Sequence, residues 1–223
     1  MGKARDSIDL WFYERKAISD GHRIVAGVDE AGRGPLAGPV VASAVVLPFG
    51  CDILGIYDSK QLSPQKRDSA FDKIFDIAIA VGVGIVDAEE IDRLNILQAT
   101  YRAMRIAISE LEISADIYLV DGYPIRNFEH RQRGIIGGDG KSVSIAAASI
   151  VAKVTRDRIM CEYDEIWPQF GFAKHKGYPT EEHLQKLDLH GVCDIHRRSF
   201  APVAERLSRQ EFTAENQEHE DGL

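Results

Sequence analysis

Residues 24–47 read IVAGVDEAGRGPLAGPVVASAVVL, two apolar runs separated by a glycine-rich turn. The first run, 23–28, predicts a β-strand that ends at Asp29-Glu30. The second run, 40–47, alternates β-branched and small residues, which predicts a second strand. The chain therefore delivers two adjacent carboxyl groups to a turn between two strands.

Further strands and helices follow along the chain. Apolar runs predict strands at 80–87 and 116–120. The spacing of apolar residues from Asp87 or Ala88 to Ile108 predicts one long helix. Helices are also predicted at 1–22, 63–70, 144–163 and 180–189. Two of them begin at capping residues, Ser63 and Thr180. This order predicts an α/β domain with a mixed sheet and a helical C-terminal portion.

Charge is unevenly distributed along the 223 residues. The formal net charge is −8, and residues 209–223, which hold five acidic residues and one Arg, account for half of it. Basic residues concentrate between Arg126 and Arg198, so net charge alone leaves a nucleic-acid partner open. We predict a helical N-terminal extension at 1–22, a main domain at 23–208 and an acidic, disordered tail at 209–223.

Composition argues against two classes of protein. No run of 18 apolar residues occurs, and charged residues interrupt the place where a signal-peptide core would lie, so we expect no membrane association. Cys51, Cys161 and Cys193 are scattered and form no CxxC pair. We therefore expect reduced thiols in a cytoplasmic protein.

Acidic residues follow two of the predicted strands. Asp29 and Glu30 end the first strand, and Asp121 ends the strand at 116–120. Each could be an ordinary solvated turn acid, but two strands that both deliver carboxylates to a glycine turn favour a shared site. Gathered carboxylates repel one another and normally require a divalent cation such as Mg²⁺ or Mn²⁺. Asp139 is either a further ligand or a turn acid that precedes a helix.

The turn after the first strand matches GxGxxA from Gly32 to Ala37. A dinucleotide-binding fingerprint requires a helix directly afterwards, whereas a strand sequence follows here, so we reject that interpretation. Glycines in such a turn let backbone groups approach a ligand closely. Arg33, between two of them, can offer a forked cation to a phosphate.

Basic and aromatic residues interleave with glycines at 170–179, FGFAKHKGYP, and recur at 196–200, HRRSF. In nucleic-acid binding, cations hold phosphates and aromatic rings stack on sugars or bases. Ordinary packing is the alternative, and we favour it for Phe170 and Phe172. Tyr178 lies between a glycine and a proline in a basic loop, which favours a role in binding.

Seven segments resemble the bacterial ribonuclease HII family, a branch of the type 2 ribonucleases H, and they occur in the family's order. They are VDEAGRGPLAGPVV (28–41), DSKQLSPQKR (58–67), DRLNIL (92–97), LVDG (119–122), SIAAASIVAKVTRDRIM (144–160), FGFAKHKGYPT (170–180) and HRRSFAPV (196–203). The resemblance implies that 23–208 is a catalytic domain with a ribonuclease H-like fold, a central mixed sheet flanked by helices. It also implies an endonuclease that hydrolyses the RNA strand of RNA–DNA hybrids and nicks 5′ to ribonucleotides embedded in duplex DNA. We expect a monomer.

The resemblance also assigns roles to single residues. Four acids match the family's catalytic and metal-binding set, with Mn²⁺ or Mg²⁺ as the cofactor and two-metal-ion catalysis as the mechanism: Asp29, Glu30, Asp121 and Asp139. Four residues match the substrate-binding set, in which the turn senses the ribose 2′-hydroxyl and the tyrosine recognises the RNA-to-DNA junction: Gly32, Arg33, Gly34 and Tyr178. One position departs from the pattern, because this chain has Gly137 where many relatives have Lys.

Two alternatives to this ribonuclease remain open. A junction-resolving DNA nuclease with the same fold would cleave branched DNA. A non-catalytic module would bind a hybrid duplex through the basic residues at 170–200 without turnover.

Overall fold

The structure, a computed structural model, describes residues 9–52 and 63–209. Parts of three predictions fall outside these ranges: the first eight residues of the N-terminal helix, residues 58–62 of the segment DSKQLSPQKR, and the acidic tail from residue 210.

A mixed sheet of five strands confirms the predicted fold class. In chain order the strands are β1 (Val25–Ala31), β2 (Val40–Val46), β3 (Ala80–Val86), β4 (Ile117–Asp121) and β5 (Gln132–Ile135). They lie side by side in the order β3-β2-β1-β4-β5. β1 is antiparallel to β2 and parallel to β4, and β4 is parallel to β5. The strand that carries the first acid pair is therefore the central one.

Helices precede, separate and follow these strands along the chain. They are α1 (Phe12–Ser19), α2 (Pro64–Ile77), α3 (Ala88–Leu94), α4 (Ile96–Ser109), α5 (Val143–Ile166), α6 (Phe172–His175), α7 (Glu181–His190) and α8 (201–209). A 3-10 turn, Gly138–Gly140, precedes α5. Within the described ranges, no helix combines the length and apolar character needed to cross a membrane.

Two helix starts lie where the capping residues predicted them. Ser63 accepts a hydrogen bond from the backbone N–H of Lys66, and Pro64 is the first residue of α2. Thr180 accepts one from the N–H of His183 at the start of α7. Side-chain caps satisfy donors that the first turn of a helix leaves unpaired, so they fix these starts locally.

The prediction of one long helix from residue 87 to 108 was wrong. Asn95 separates α3 from α4, with a φ of 70°. Its side-chain oxygen accepts hydrogen bonds from the N–H groups of Leu97 and Gln98, at 3.0 and 3.1 Å, and so caps the second helix. The apolar spacing continues across this break, which is why periodicity alone did not reveal it.

The residues cluster into two compact units. The first comprises the described parts of Met1–Ala31, Val41–Ile85 and Thr100–Val154, and includes most of the sheet. The second comprises the described parts of Gly32–Val40, Val86–Ala99 and Thr155–Leu223.

In the first unit, the start of α5 packs directly on β1. A Cβ added to Gly27 would lie 2.1 Å from the carbonyl carbon of Ser144, so only glycine fits there. α1 is tied to the same helix start through Glu14, which is only 3% exposed. The Glu14 carboxylate accepts hydrogen bonds from the Ser142 hydroxyl and from the hydroxyl and N–H of Ser144, at 2.6 to 3.0 Å. The N-terminal helix thus serves as an anchor and cap for α5.

The second unit has its own apolar core. Phe170 and Phe172 are 1% and 0% exposed and stack on each other, with ring centroids 5.3 Å apart. They pack with Met160, Leu187 and other buried residues. The packing role that we favoured for these two aromatics is confirmed.

Candidate active site

Two of the predicted acids occupy equivalent places on neighbouring parallel strands. Val28 of β1 pairs with Val120 of β4, and the next residue in each strand is an aspartate, Asp29 or Asp121. Adjacent strands lie about 4.8 Å apart, and residues in parallel register direct their side chains to the same face of the sheet. The sheet therefore brings these two carboxyl groups together.

Glu30 lies inside β1 rather than beyond its end. The expectation that the strand stops at Asp29-Glu30 was wrong, because β2 continues to pair with β1 as far as Ala31 opposite Val41. The negative charge of Glu30 raises the pKa of Asp29, so the two neighbouring acids act on one another electrostatically.

Asp29 is a buried acid in an unfavourable electrostatic environment. Asp29 is only 5% exposed, and burial raises the pKa of its carboxyl group well above the usual value. The charges of Glu30 and then Asp121 raise this pKa further, while hydrogen bonds from Ser149 and from the Glu30 N–H, at 2.7 Å, lower it. The effects of burial and repulsion on the pKa outweigh those of the hydrogen bonds. A cation beside Asp29 would therefore stabilise its charged form.

Asp139 lies next to the backbone group that binds Asp121. The N–H of Gly138 donates to Asp121 Oδ1 at 2.6 Å, and Asp139 follows in the 3-10 turn with 7% exposure. The turn thus places a further buried acid, Asp139, directly after the glycine whose N–H binds the Asp121 carboxylate.

Gly137, where the sequence departs from its relatives, has a left-handed backbone with a φ of 64°. Such a φ favours glycine over lysine. The ammonium of Lys141 lies 4.0 Å from the position that a Cβ of residue 137 would take, and donates to the carbonyl of Ile136. A cation is therefore present beside this turn, supplied from residue 141.

The chemistry of these acids suits a hard metal ion. The candidate donors are carboxylate oxygens, which divalent Mg²⁺ and Mn²⁺ prefer. Among residues 9–52 and 63–209, no three His, Cys, Asp or Glu side chains are placed to hold an ion together. Ion binding would draw the carboxylates closer and would offset the repulsion that raises the pKa of Asp29.

In the second unit, the predicted substrate-binding residues lie side by side. Gly32 has a φ of 95°, which requires glycine, and Arg33 and Gly34 are exposed. A Cβ added to Gly34 would lie 3.7 Å from Cε1 of Tyr178, whose side chain is 43% exposed. Arg33, Gly34 and the tyrosine thus form one accessible surface, whereas Gly32 is buried.

Two arginines from the basic part of the chain are buried. Arg156, in α5, and Arg197, from the segment at 196–200, are 1% and 0% exposed. For Arg197 the packing alternative therefore holds, and not phosphate binding at the surface. For Arg156 the signal was available, because Ala152 and Met160, one turn away on each side, lie on the buried face of the helix. Arg197 lies outside the helices, so no helical period could have revealed its burial.

Buried histidines form a hydrogen-bonded chain behind Tyr178, which sequence reasoning also missed. His183 Nδ1 lies 2.9 Å from the Tyr178 carbonyl, and its Nε2 lies 3.1 Å from His196 Nε2. His196 Nδ1 accepts from the N–H of Cys193. These contacts are all satisfied when both rings are neutral: His196 donates to His183, which donates to Tyr178. Burial lowers the pKa of His183 to about 4 and that of His196 to about 3.

Comparisons with known proteins identify the family and the fold. The family model of ribonuclease HII matches residues 26–203. A ribonuclease HII from Acetivibrio thermocellus is 51% identical over 86% of this chain and 75% of its own length. The crystal structure of ribonuclease H2 from Pyrococcus horikoshii OT3 has a TM-score of 0.72 and 30% identity, covering 84% of this chain and 98% of that chain.

A more distant structure shows the same fold. Bst-RNase HIII in complex with Mn²⁺ has a TM-score of 0.64 at 17% identity, covering 93% of this chain and 76% of that chain. With the family model covering most of the chain, the conclusion is plain: this chain belongs to the ribonuclease HII family and is a ribonuclease H enzyme.

Proposed function

We propose that this enzyme hydrolyses the RNA strand of RNA–DNA hybrids and nicks 5′ to ribonucleotides embedded in duplex DNA, by two-metal-ion catalysis. The observation that carries the proposal is the buried Asp29, in register with Asp121 on the neighbouring strand, with its pKa raised by burial and by the acids around it. Such a concentration of carboxylates around a buried acid with a raised pKa is typical of a cation-dependent active site.

Four acids would hold the divalent ions, Mn²⁺ or Mg²⁺: Asp29, Glu30, Asp121 and Asp139. Bound ions would lower the pKa of water and stabilise negative charge on the departing 3′-oxygen. The hydrolysed bond is the P–O3′ bond on the 5′ side of the ribonucleotide, and the products are a 3′-hydroxyl and a 5′-phosphate. Manganese is supported by the Mn²⁺ complex of the distant structural neighbour.

The chain's own residues orient these carboxylates. Strand register fixes Asp29 beside Asp121. The Gly138 N–H holds one Asp121 oxygen, so the carboxylate cannot rotate freely. The Glu30 N–H holds Asp29 Oδ1 in the same way. The Ser149 hydroxyl also donates to the Asp29 carboxylate, so both acids are held in place where they would bind an ion.

Selectivity for RNA would come from the turn and tyrosine of the second unit. The 2′-hydroxyl is the feature by which a protein distinguishes ribose from deoxyribose. The exposed backbone of Arg33 and Gly34 can contact it, while Gly32 is buried and would shape the turn. The Arg33 side chain can pair with a phosphate, and the Tyr178 ring can stack on a neighbouring sugar or base. We expect the enzyme to act as a monomer.

Cleavage of a DNA duplex that carries one ribonucleotide tests the proposal. The enzyme is incubated with Mg²⁺, Mn²⁺ or EDTA, and the ends are mapped beside an all-DNA duplex, a long RNA–DNA hybrid and branched DNA. We expect a metal-dependent nick 5′ to the ribonucleotide and none in the DNA controls. Cleavage of branched DNA, or binding without turnover, would reject the proposal.

Paired variants then test the site itself. Asp121→Asn should abolish cleavage while Asp116→Asn, at an exposed acid before the same strand, should preserve it. Full activity in Asp121→Asn would show that the acids of β1 and β4 are not the catalytic site.

A further inference from the structure

Among residues 9–52 and 63–209, the two buried arginines, Arg156 and Arg197, donate only to backbone carbonyls. Arg197 donates to the carbonyls of Gly32, Arg33 and Gly38, at 2.6 to 3.1 Å. Arg156 donates to those of Ala37, Pro39 and Lys176, at 2.9 to 3.0 Å. Within the described residues, these bonds use all the nitrogens of both guanidinium groups, and all but one of the acceptors belong to the segment 32–39.

Burying this pair is electrostatically unfavourable. Burial lowers the pKa of Arg156 to about 10. Burial and then the charge of Arg156 lower the pKa of Arg197 to about 9, and Asp92 opposes this only by its charge. Both groups still carry their charge at neutral pH. Proteins rarely bury an arginine without a paired carboxylate, so the segment 32–39 must gain something specific from the contact.

What the segment gains is a fixed orientation of its peptide groups. In a planar trans peptide the C=O and the following N–H point in opposite directions. Arg197 binds the carbonyls of Gly32 and Arg33, so it turns the N–H groups of Arg33 and Gly34 away from itself. The positive charge also polarises these peptides, which makes their N–H groups stronger donors.

We propose that Arg197 is a positioning residue for substrate binding: it aims the N–H groups of Arg33 and Gly34 at an acceptor oxygen of the ribonucleotide. That oxygen is either the ribose 2′-oxygen or a phosphate oxygen, since both are hydrogen-bond acceptors. The inference rests on the proposed function of the turn and adds the residue that sets the direction of its donors.

Arg156 provides a matched control. It is as buried as Arg197 and also binds three carbonyls, but none of them belongs to the peptide that bears the Arg33 or Gly34 N–H. Replacing either arginine by lysine keeps the charge and removes the fork that binds several carbonyls at once. Phe200 offers a milder change, because its ring lies 5.1 Å from the guanidinium carbon of Arg197.

The test compares Arg197→Lys, Arg156→Lys and Phe200→Leu with the unaltered enzyme. Affinity for a duplex with one ribonucleotide and for the all-DNA duplex is measured by fluorescence anisotropy in Ca²⁺, and kcat and KM are measured in Mn²⁺. Thermal melting monitors folding. We expect Arg197→Lys to reduce the affinity for the ribonucleotide duplex about tenfold, the value of one hydrogen bond, and Arg156→Lys to retain it. Phe200→Leu should show a smaller loss in the same direction, and it tests the proposal even if Arg197→Lys does not fold.

Each outcome decides the question. A selective loss of affinity for the ribonucleotide duplex identifies the 2′-oxygen as the acceptor, whereas an equal loss for both duplexes identifies a phosphate oxygen. Equal behaviour of Arg197→Lys and Arg156→Lys, or unchanged affinities in Arg197→Lys and Phe200→Leu, would overturn the proposal. If the unaltered enzyme shows no preference for the ribonucleotide, the proposed function itself fails.

Discussion

Replacing Asp29 by asparagine should make the metal-free protein more stable while it destroys the enzyme. The side chain is buried, and its pKa is raised by burial, by Glu30 and by Asp121. Asparagine has nearly the same shape and can still accept the hydrogen bond from the Glu30 N–H. The substitution therefore removes a charge and leaves the packing intact.

The strand geometry gives the size of the effect. Two full charges at an interstrand distance of roughly 5 Å repel each other by about 3 kcal/mol at an effective dielectric constant of about 20. Hydration of the partly exposed Asp121 reduces this value. We expect Asp29→Asn to stabilise the metal-free protein by about 1–2 kcal/mol, a typical gain when a functional site loses its strain. For a chain of this size, each 1 kcal/mol raises the Tm by about 2–4 °C.

Thermal or urea unfolding at pH 7.5 measures this, first in EDTA and then with Mn²⁺. At about a hundredfold excess over Kd, a bound ion stabilises the unaltered protein by about 2.7 kcal/mol. Asp29→Asn should gain much less, so the order of stability reverses, and cleavage should fall by at least about a hundredfold. Asp116→Asn is the control with the opposite sign, because backbone N–H groups of Arg23 and Ile24 lower the pKa of Asp116. A variant at Asp29 that is less stable in EDTA, or equally stabilised by Mn²⁺, would refute the reasoning.

Three further predictions concern stability. Because their pKa values are lowered to about 4 and about 3, His183 and His196 stay neutral when the unfolded chain takes up protons, so stability should fall by about 1–2 kcal/mol per histidine as the pH decreases from about 6.5 to 5. Urea unfolding at both pH values measures this, and His196→Asn should lose less on acidification. Gly27→Ala should cost about 1–3 kcal/mol, since its Cβ would overlap the backbone of Ser144; an unchanged urea midpoint would contradict the close contact. Asn95→Ala should cost about 2 kcal/mol through the lost cap and the positive φ, whereas Asn95→Gly should cost only a few tenths; guanidinium titration compares the two.

Local signals explain most of what the sequence predicted correctly. Ser63 and Thr180 carry their caps within three residues, so their helix starts needed no tertiary information. Asp29 and Asp121 follow apolar runs that could only be strands, and parallel pairing then placed them side by side. The roles of these acids stay predictions until the variants are measured.

Long-range contacts explain what the sequence missed. β5 contains Gln132 and Arg133 and has no alternation, so its assignment depends on its pairing with β4. Arg197 sits in a basic run typical of a surface, and only carbonyls more than 150 positions away in the chain, such as that of Gly38, draw it inside. The histidine pair likewise becomes visible only when two segments meet. Burial of a polar side chain is a property of its partners and is not encoded by its neighbours in sequence.

The parallel register of β1 and β4 also has a consequence for how the enzyme can change. Asp29 and Asp121 follow the last paired residues of β1 and β4. The hydrogen bonds between the two strands therefore set the distance between these residues. A one-residue insertion in either strand would move its aspartate to the other face, and no rotamer change could correct it. Adaptation to a different cation or substrate is therefore confined to side-chain length and to the surrounding loops, while the spacing of the two strands stays constant.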